Sequence, residues 1–406
     1  MWPKLKKKYT EGYDERQGVV SKKKLALLQG KRPLWVHAVS VGEVQAAVPV
    51  IRAARECGFT DPIILSTTTE TGKAMAFGIG RGLFDFHIYY PWDKARFVSS
   101  ALDLLNPWAF VTTETELWPN MLWTLKDRNI PSFIANGRVS DRTWERVSSK
   151  IGRRAGSELF DLFTKIFLRE ERDRERLIEM NISPSKLSVM GDTKIDALLA
   201  RRKNESAARL KEEFCMQDRP IFMAGSTHTG EDEQILESFA ELKNYEPKAR
   251  LIVAPRHPER AAQVREIFAG HYGTSLMTEK ASDWDVLVVD KIGVLFDLYG
   301  VSKAAFVGGS FADKGGQNIL EPVSWGVPVQ YGPHMEDFAE ASEEFKAIGI
   351  ASQVKNAQEL AKVWIDIMSD KECDKYKKIS CEYFGKKAGA AKKIWTELSL
   401  YSDGQK

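Results

Sequence analysis

Ser40-Val41-Gly42-Glu43 sits where the apolar run 34–38 gives way to a helical pattern, so it places a carboxylate at the end of a strand. Two readings fit. Ser-x-x-Glu is a capping box, in which the glutamate reaches back to a free backbone N–H. Strand ends are also where open α/β sheets hold their ligands, which suits Glu43 as a catalytic base. These four residues alone favour capping. A helix N-terminus should lower the carboxyl's pKa and keep Glu43 ionised, so that it acts mainly by position.

Other turns in the first half carry charge. Thr113-Glu114-Thr115-Glu116 ends the strand candidate 109–112. Alternation sends Glu114 and Glu116 to the same side if the chain stays extended, one buried and one paired with a cation, or both as caps of the helix after Pro119. Asn136-Gly137-Arg138 ends the next strand and offers Arg138 to an anionic acceptor. Gly191-Asp192-Thr193-Lys194 offers Lys194, although an isolated lysine usually faces solvent.

In the second half, polar and glycine residues crowd successive strand ends. Ala224-Gly225-Ser226-Thr227-His228 precedes a helix, where free N–H groups and the helix dipole favour phosphate. Pro255-Arg256-His257 follows the next strand, and Arg256 suits phosphate oxygens. Gly308-Gly309-Ser310 and Gly315-Gly316-Gln317-Asn318-Ile319-Leu320-Glu321 complete the set, with Glu321 suited to the two hydroxyls of a ribose. Each signal alone is weak, because glycine turns mostly just turn chains. Four in one domain make a nucleotide pocket the better reading. No Walker loop, no G-x-G-x-x-G after the first strand and no H-E-x-x-H is present, so an ATPase, a dinucleotide dehydrogenase and a catalytic metal are not indicated.

The elements that must position these residues follow one grammar. Strand candidates at 34–38, 63–66, 87–90, 109–112, 132–135 and 165–168 alternate with helical stretches. The stretch 195–213 reads as helix or linker, and then strands resume at 221–224, 251–254, 286–289, 304–307 and 328–331, with helices such as 230–243 and 258–269. The pattern predicts two doubly wound α/β domains facing a central cleft, at 33–205 and 206–385, with a C-terminal helix at 386–406. A chain of 406 residues, 43% hydrophobic and 28% charged, suits that organisation.

Four scattered cysteines without C-x-x-C spacing argue against a disulfide framework or zinc site and fit a reducing setting. No run of eighteen apolar residues spans a membrane. Charge is uneven: residues 1–32 hold ten Lys/Arg against Glu11, Asp14 and Glu15, a net of +7 in a chain of +3 overall. Such runs are mostly solvated surface, but this one suits an anionic membrane surface better than nucleic acid.

VHAVSVGE, TETELWPN, NGRVSDR, GDTKID, AGSTHTGE, LIVAPRHPER, FVGGS and GGQNILEP, in this order, closely resemble the bacterial Kdo (3-deoxy-D-manno-octulosonic acid) transferases of lipopolysaccharide assembly. The resemblance covers nearly the whole chain. It implies a GT-B fold, with an acceptor domain followed by a nucleotide-sugar domain. It also implies inverting transfer of Kdo from CMP-β-Kdo to a lipid A precursor at the cytoplasmic face of the inner membrane, with no cofactor and no metal in the transfer step. By resemblance, Glu43 matches the general base, and Glu114 and Lys194 match residues that stabilise the transition state; the strand-end turns put Glu116 and Arg138 on the acceptor side. Pro255, Arg256, Ile292, Gly293, Val294, Asn318, Ile319, Leu320 and Glu321 match its CMP-contacting segments, and Ser226, His228, His257, Gly309 and Gly316 join them on the CMP side by their place in the strand-end turns. Three departures stand out. The chain runs from Met1-Trp2-Pro3 into lysines where many members begin with a hydrophobic anchor, Gly293-Val294 replaces a Gly-acidic pair, and Gln317 and Ile319 stand where His and Pro are frequent.

Overall fold

The computed structural model describes residues 11–141, 144–145, 156–217, 219–370 and 374–402. The chain divides into two compact units, Met1–Ala197 with Lys387–Lys406, and Leu198–Lys386.

The first unit is built on a seven-stranded sheet: β1 (Leu34–His37), β2 (Ile63–Thr67), β3 (Phe86–Tyr89), β4 (Ala109–Thr113), β5 (Ser132–Gly137), β6 (Lys165–Leu168) and β7 (Leu187–Val189). Its order is β3-β2-β1-β4-β5-β6-β7 and every pairing is parallel. The central strands are buried along their whole length, as a sheet covered on both faces requires. Chain direction across the sheet reverses between β1 and β4, so the turns after these two strands meet at the topological switch point. Glu43 lies in the first helical turn after β1, and Glu114 lies in the turn after β4.

The second unit repeats the plan with β8 (Ile221–Thr227), β9 (Arg250–Pro255), β10 (Thr274–Leu276), β11 (Val286–Val288), β12 (Ala304–Val307), β13 (Val329–Tyr331) and β14 (Ala351–Gln353), in the order β10-β11-β9-β8-β12-β13-β14. Here the reversal falls between β8 and β12. The turns after them begin at His228 and at Gly308. The two units are Rossmann-like, doubly wound α/β domains of the GT-B type.

Three strands escape the hydrophobic pattern. β7, β10 and β14 are sheet edges of three residues each, and they are only partly buried, so no apolar run marks them. The stretch 195–213 is helical, as its pattern predicts, in Thr193–Arg201 and Asn204–Glu213.

The C-terminal helix Ala390–Ser399 belongs to the first unit. Its Ala391, Ile394, Trp395 and Leu398 share a core with Val36 of β1 and with Val44 and Val48 of the helix Val41–Glu56. Asp196 fixes its start by accepting the N–H groups of Gly389 (2.6 Å) and Ala391 (2.7 Å).

Of the basic N-terminal segment, residues 1–10 lie outside the described residues. The remainder folds into the first unit. Arg16 is buried and donates to Thr68 O at 2.8 Å, with its guanidinium 4.4 Å from the Tyr89 ring, while Lys24 pairs with Glu15. Lys31 pairs with Asp61, which leaves Lys22 and Lys23 as the exposed cations of the helix Lys22–Ala26. Among the described residues no helix is long and apolar enough to cross a membrane. Cys57, Cys215 and Cys381 are free thiols, and Cys373 lies outside the described residues.

Candidate active site

In the first unit, Ser40 is the N-cap residue of the helix Val41–Glu56, but its hydroxyl accepts no backbone hydrogen bond. It donates instead to Glu43 Oε1 at 3.1 Å, while Val39 N–H donates to Glu43 Oε2 at 2.8 Å. Only the reach-back half of a capping box is present, and it goes one residue beyond the cap. Glu43 is 7% exposed, and its pKa is raised. Burial is the main cause and the charge of Glu114 adds to it, outweighing the Val39 N–H, the Ser40 hydroxyl and the charge of Lys194. This reverses the expectation from the helix N-terminus, because the loss of solvent outweighs the hydrogen bonds and the Lys194 charge that favour the ionised form. The carboxylate is more basic than an ordinary glutamate.

The extended path expected for 113–116 is not taken. Glu114 has φ +56°, and this left-handed turn breaks the strand alternation. The turn is held by Glu114 N–H on Ala135 O at 3.0 Å and by the Thr115 hydroxyl on Arg138 O. Glu114 Oε1 thereby meets Lys194 Nζ at 2.5 Å. Glu116 is partly buried, and desolvation, with the charges of Glu43 and Glu114, pushes its pKa up to about 7. The Arg138 side chain is exposed.

Lys194 reaches this cluster through a chain of hydrogen bonds. Buried Asn136, at φ +57°, accepts Thr193 N–H at 2.8 Å, and the Thr193 hydroxyl donates to Ala46 O at 2.8 Å, inside the helix that bears Glu43. Asp192 accepts Lys194 N–H at 2.8 Å and pairs with Arg169 at 3.0 Å. The NGR and GDTK motifs thus form one scaffold that aims Lys194 at Glu114. The sequence also leaves His37 unremarked. It is fully buried and stacked 3.8 Å from Tyr90, and burial lowers its pKa to about 3, which keeps the ring uncharged near neutrality.

In the second unit β8 runs on through Thr227, with a register shift beside Ser226, which has φ +58°. The helix Asp232–Tyr245 begins five residues later, behind Glu231 and with Asp232 and Glu233 in its first turn. Glu231, the last residue of AGSTHTGE, is wholly buried, and the motif assigns it no role. Its Oε2 accepts His228 N–H and Gly309 N–H, both at 2.8 Å, and its Oε1 accepts Ser310 (3.0 Å), Phe311 (2.9 Å) and Ala312 (3.2 Å) N–H groups. The one sequence signal for it is its spacing of three residues after His228, the reach-back distance of a capping box. Asp232, also fully buried, accepts from the Thr227 hydroxyl at 2.7 Å and pairs with Arg260. Burial raises its pKa against these partners.

The remaining candidates sort by exposure. Pro255 is buried at the end of β9, whereas Arg256 and His257 are exposed, and the His228 and His257 rings stand 6.1 Å apart. Burial lowers the pKa of His228. Ile292, 87% exposed, and Gly293, at φ +92°, form an open loop leading to Val294. Gly309 is closed on both sides, its N–H on Glu231 and its carbonyl on Gly316 N–H at 2.9 Å. Asn318 Oδ1 accepts Leu320 N–H at 3.1 Å at the start of the short helix Leu320–Ser324, whose N-cap, Ile319, is buried. Glu321 pairs with Arg201 at 3.0 Å, so its carboxylate already has a cation.

A family model described as 3-Deoxy-D-manno-octulosonic-acid transferase (kdotransferase) matches residues 11–197. A 3-deoxy-D-manno-octulosonic acid transferase of Haemophilus influenzae is 34% identical, over 82% of this chain and 77% of that protein. A bifunctional glycosyltransferase/methyltransferase of Fusobacterium nucleatum is 30% identical over 86% of this chain, and the match spans about half of its length, 54%. The crystal structure of UDP-GlcNAc 2-epimerase from Neisseria meningitidis, 17% identical, superposes with a TM-score of 0.62 over 91% of this chain and 99% of that one, and it shows the fold alone. On these matches, and with a fold of the GT-B type, the chain belongs to the 3-deoxy-D-manno-octulosonic acid (Kdo) transferase family of glycosyltransferases.

Proposed function

We propose that this protein transfers Kdo from CMP-β-Kdo to a lipid A precursor in lipopolysaccharide assembly, with inversion and without a metal ion in the transfer step. The observation that carries the reading is the group Glu43, Glu114 and Lys194 at the switch point of the first sheet, where Glu43 is a buried carboxylate of raised basicity. An acceptor hydroxyl gives its proton to Glu43 as its oxygen forms the bond to the anomeric carbon of Kdo. The bond from that carbon to the CMP phosphate breaks, and the electron pair leaves on phosphate. Arg256, exposed at the end of β9, is a cation able to pair with that charge. Lys194, paired with Glu114, supplies fixed charge beside the base.

The test is product formation from CMP-Kdo and a tetra-acylated lipid A precursor, with and without EDTA. Product in both arms is expected. No product, or a binding preference for UMP or GMP over CMP, would sink the reading. For the membrane we propose peripheral contact through the basic N-terminal segment, with Lys22 and Lys23 exposed. Binding to anionic vesicles should then weaken as salt rises, and salt-independent binding would refute it.

A further inference from the structure

We infer that Glu231 is the positioning residue of the donor site, its buried carboxylate fixing the turn 308–312 while neighbouring Asp232 fixes the turn that carries Arg256. The inference rests on the CMP-sugar reading above.

β8 is central in its sheet, paired with β9 on one side and β12 on the other. The three turns after these strands therefore converge, and Glu231-Asp232 stands among them. Five backbone N–H groups end on the two oxygens of Glu231, one from the β8 turn and four from the turn after β12. Buried N–H groups need acceptors, and in this turn the acceptor is a side chain from another loop. The approach is close enough that a β-carbon on Gly308 would lie 2.7 Å from Glu231 Oε2. From the anchored turn the Gly309 carbonyl holds Gly316 N–H, at the head of the loop that presents Gln317 and Asn318.

Asp232 does the equivalent on the β9 side. It binds the Thr227 hydroxyl and the Arg260 guanidinium, and Arg260 also donates to Thr227 O at 3.2 Å. The same carbonyl accepts Arg256 N–H at 3.0 Å. One dipeptide therefore sets the backbone on both sides of β8.

The arrangement has a consequence for phosphate. The N–H groups of 309–312 converge as an anion nest would, but Glu231 fills the nest. The turn has no N–H to give the donor's phosphate, and its task is to place the loop that follows. Charge for the phosphate then falls to side chains such as Arg256.

Glu231→Gln tests this by chemistry rather than size. Whichever way the amide is turned, its NH2 faces two or three N–H donors and can accept from none. The expected result is faster hydrogen exchange at 309–312 with β12 unchanged, and CMP Kd and donor KM raised at least tenfold. The acceptor KM and the pH profile of kcat should stay as in wild type, which a general loss of structure would not allow. Donor KM and CMP Kd within twofold of wild type overturn the inference. Should the variant not fold, exchange in the unaltered protein decides: amides 309–312 protected like β12 support the anchor, and exchange at open-loop rates overturns it. Wild-type protein that binds no CMP overturns the donor assignment on which the inference rests, while the exchange contrast still decides whether Glu231 holds the turn.

Discussion

Lys194 Nζ lies 2.5 Å from Glu114 Oε1 and 3.7 Å from where a β-carbon on Gly42 would stand. The ammonium therefore sits against the first turn of the helix that carries Glu43. The charges of this pair act on Glu43 in opposite directions, Glu114 raising its pKa and Lys194 lowering it. Removing each charge should move the acidic limb of kcat/KM in opposite senses. Lys194→Met should shift the limb to higher pH, and Glu114→Gln to lower pH, with turnover reduced roughly 10²-fold in either if fixed charge stabilises the transition state. Limbs that move together, or not at all, would disconnect the pair from the base.

Glu43→Gln separates base from cap. The amide oxygen can still accept Val39 N–H, and its NH2 can donate to the Ser40 oxygen, so melting temperature and CMP affinity should hold. Turnover should fall by roughly 10²–10⁴-fold, the usual share of a general base. Ser40→Ala is the finer probe. Its hydroxyl gives a hydrogen bond to Glu43 and none to the helix, so the loss of about 1 kcal/mol typical of a missing N-cap is not expected. The acidic limb of the rate profile should instead rise, because a donor that lowers the Glu43 pKa is gone. A stability loss with an unmoved limb would restore the capping role.

The position of Glu43 was legible because a strand ending in a capping-box spacing marks a strand-to-helix turn. Its basicity was not, since the sequence shows the helix start but not the depth of burial, and burial decides the sign here. The alternation argument failed at Glu114 because a single left-handed residue resets which side each neighbour faces. Lys194 looked like any solvent lysine, for its place depends on Asn136 and Ala46, which lie 58 and 148 positions earlier. In the second unit the glycine turns were legible as turns. What holds them was not, because Glu231 reads as one more charged residue at a helix start and shows its role only when five amides converge on it.

Two arginines four residues apart should fail differently. Arg256 is exposed after β9, so Arg256→Ala should leave the melting temperature unchanged and weaken CMP binding by about 1.5–3 kcal/mol, the cost of one charged hydrogen bond. Arg260 is paired with an Asp232 that is 0% exposed. Arg260→Ala should therefore cost roughly 3–5 kcal/mol of stability, by leaving a buried carboxylate without its cation. Calorimetry and thermal melts on the two variants check this, and equal CMP affinity in Arg256→Ala and wild type would move the phosphate elsewhere.

Glu116 gives a stability signature that needs no substrate. Its pKa rises from about 4.5 to about 7 on folding, mainly through desolvation, so the folded protein holds this proton more tightly than the unfolded chain does. Between those values the native state binds more protons, and stability must fall as pH rises. The stabilising effect of the neutral carboxyl is complete below about pH 4.5 and is lost by about pH 7, leaving a charged group in a desolvated site beside Glu43 and Glu114. Glu116→Gln mimics the protonated form at every pH. Its melting temperature should match wild type near pH 4 and exceed it at pH 8, with the difference opening across that window. A constant difference would show that folding leaves the Glu116 pKa unshifted, and one that grows toward acid would show that folding lowers it, which would require a cation at Glu116 itself.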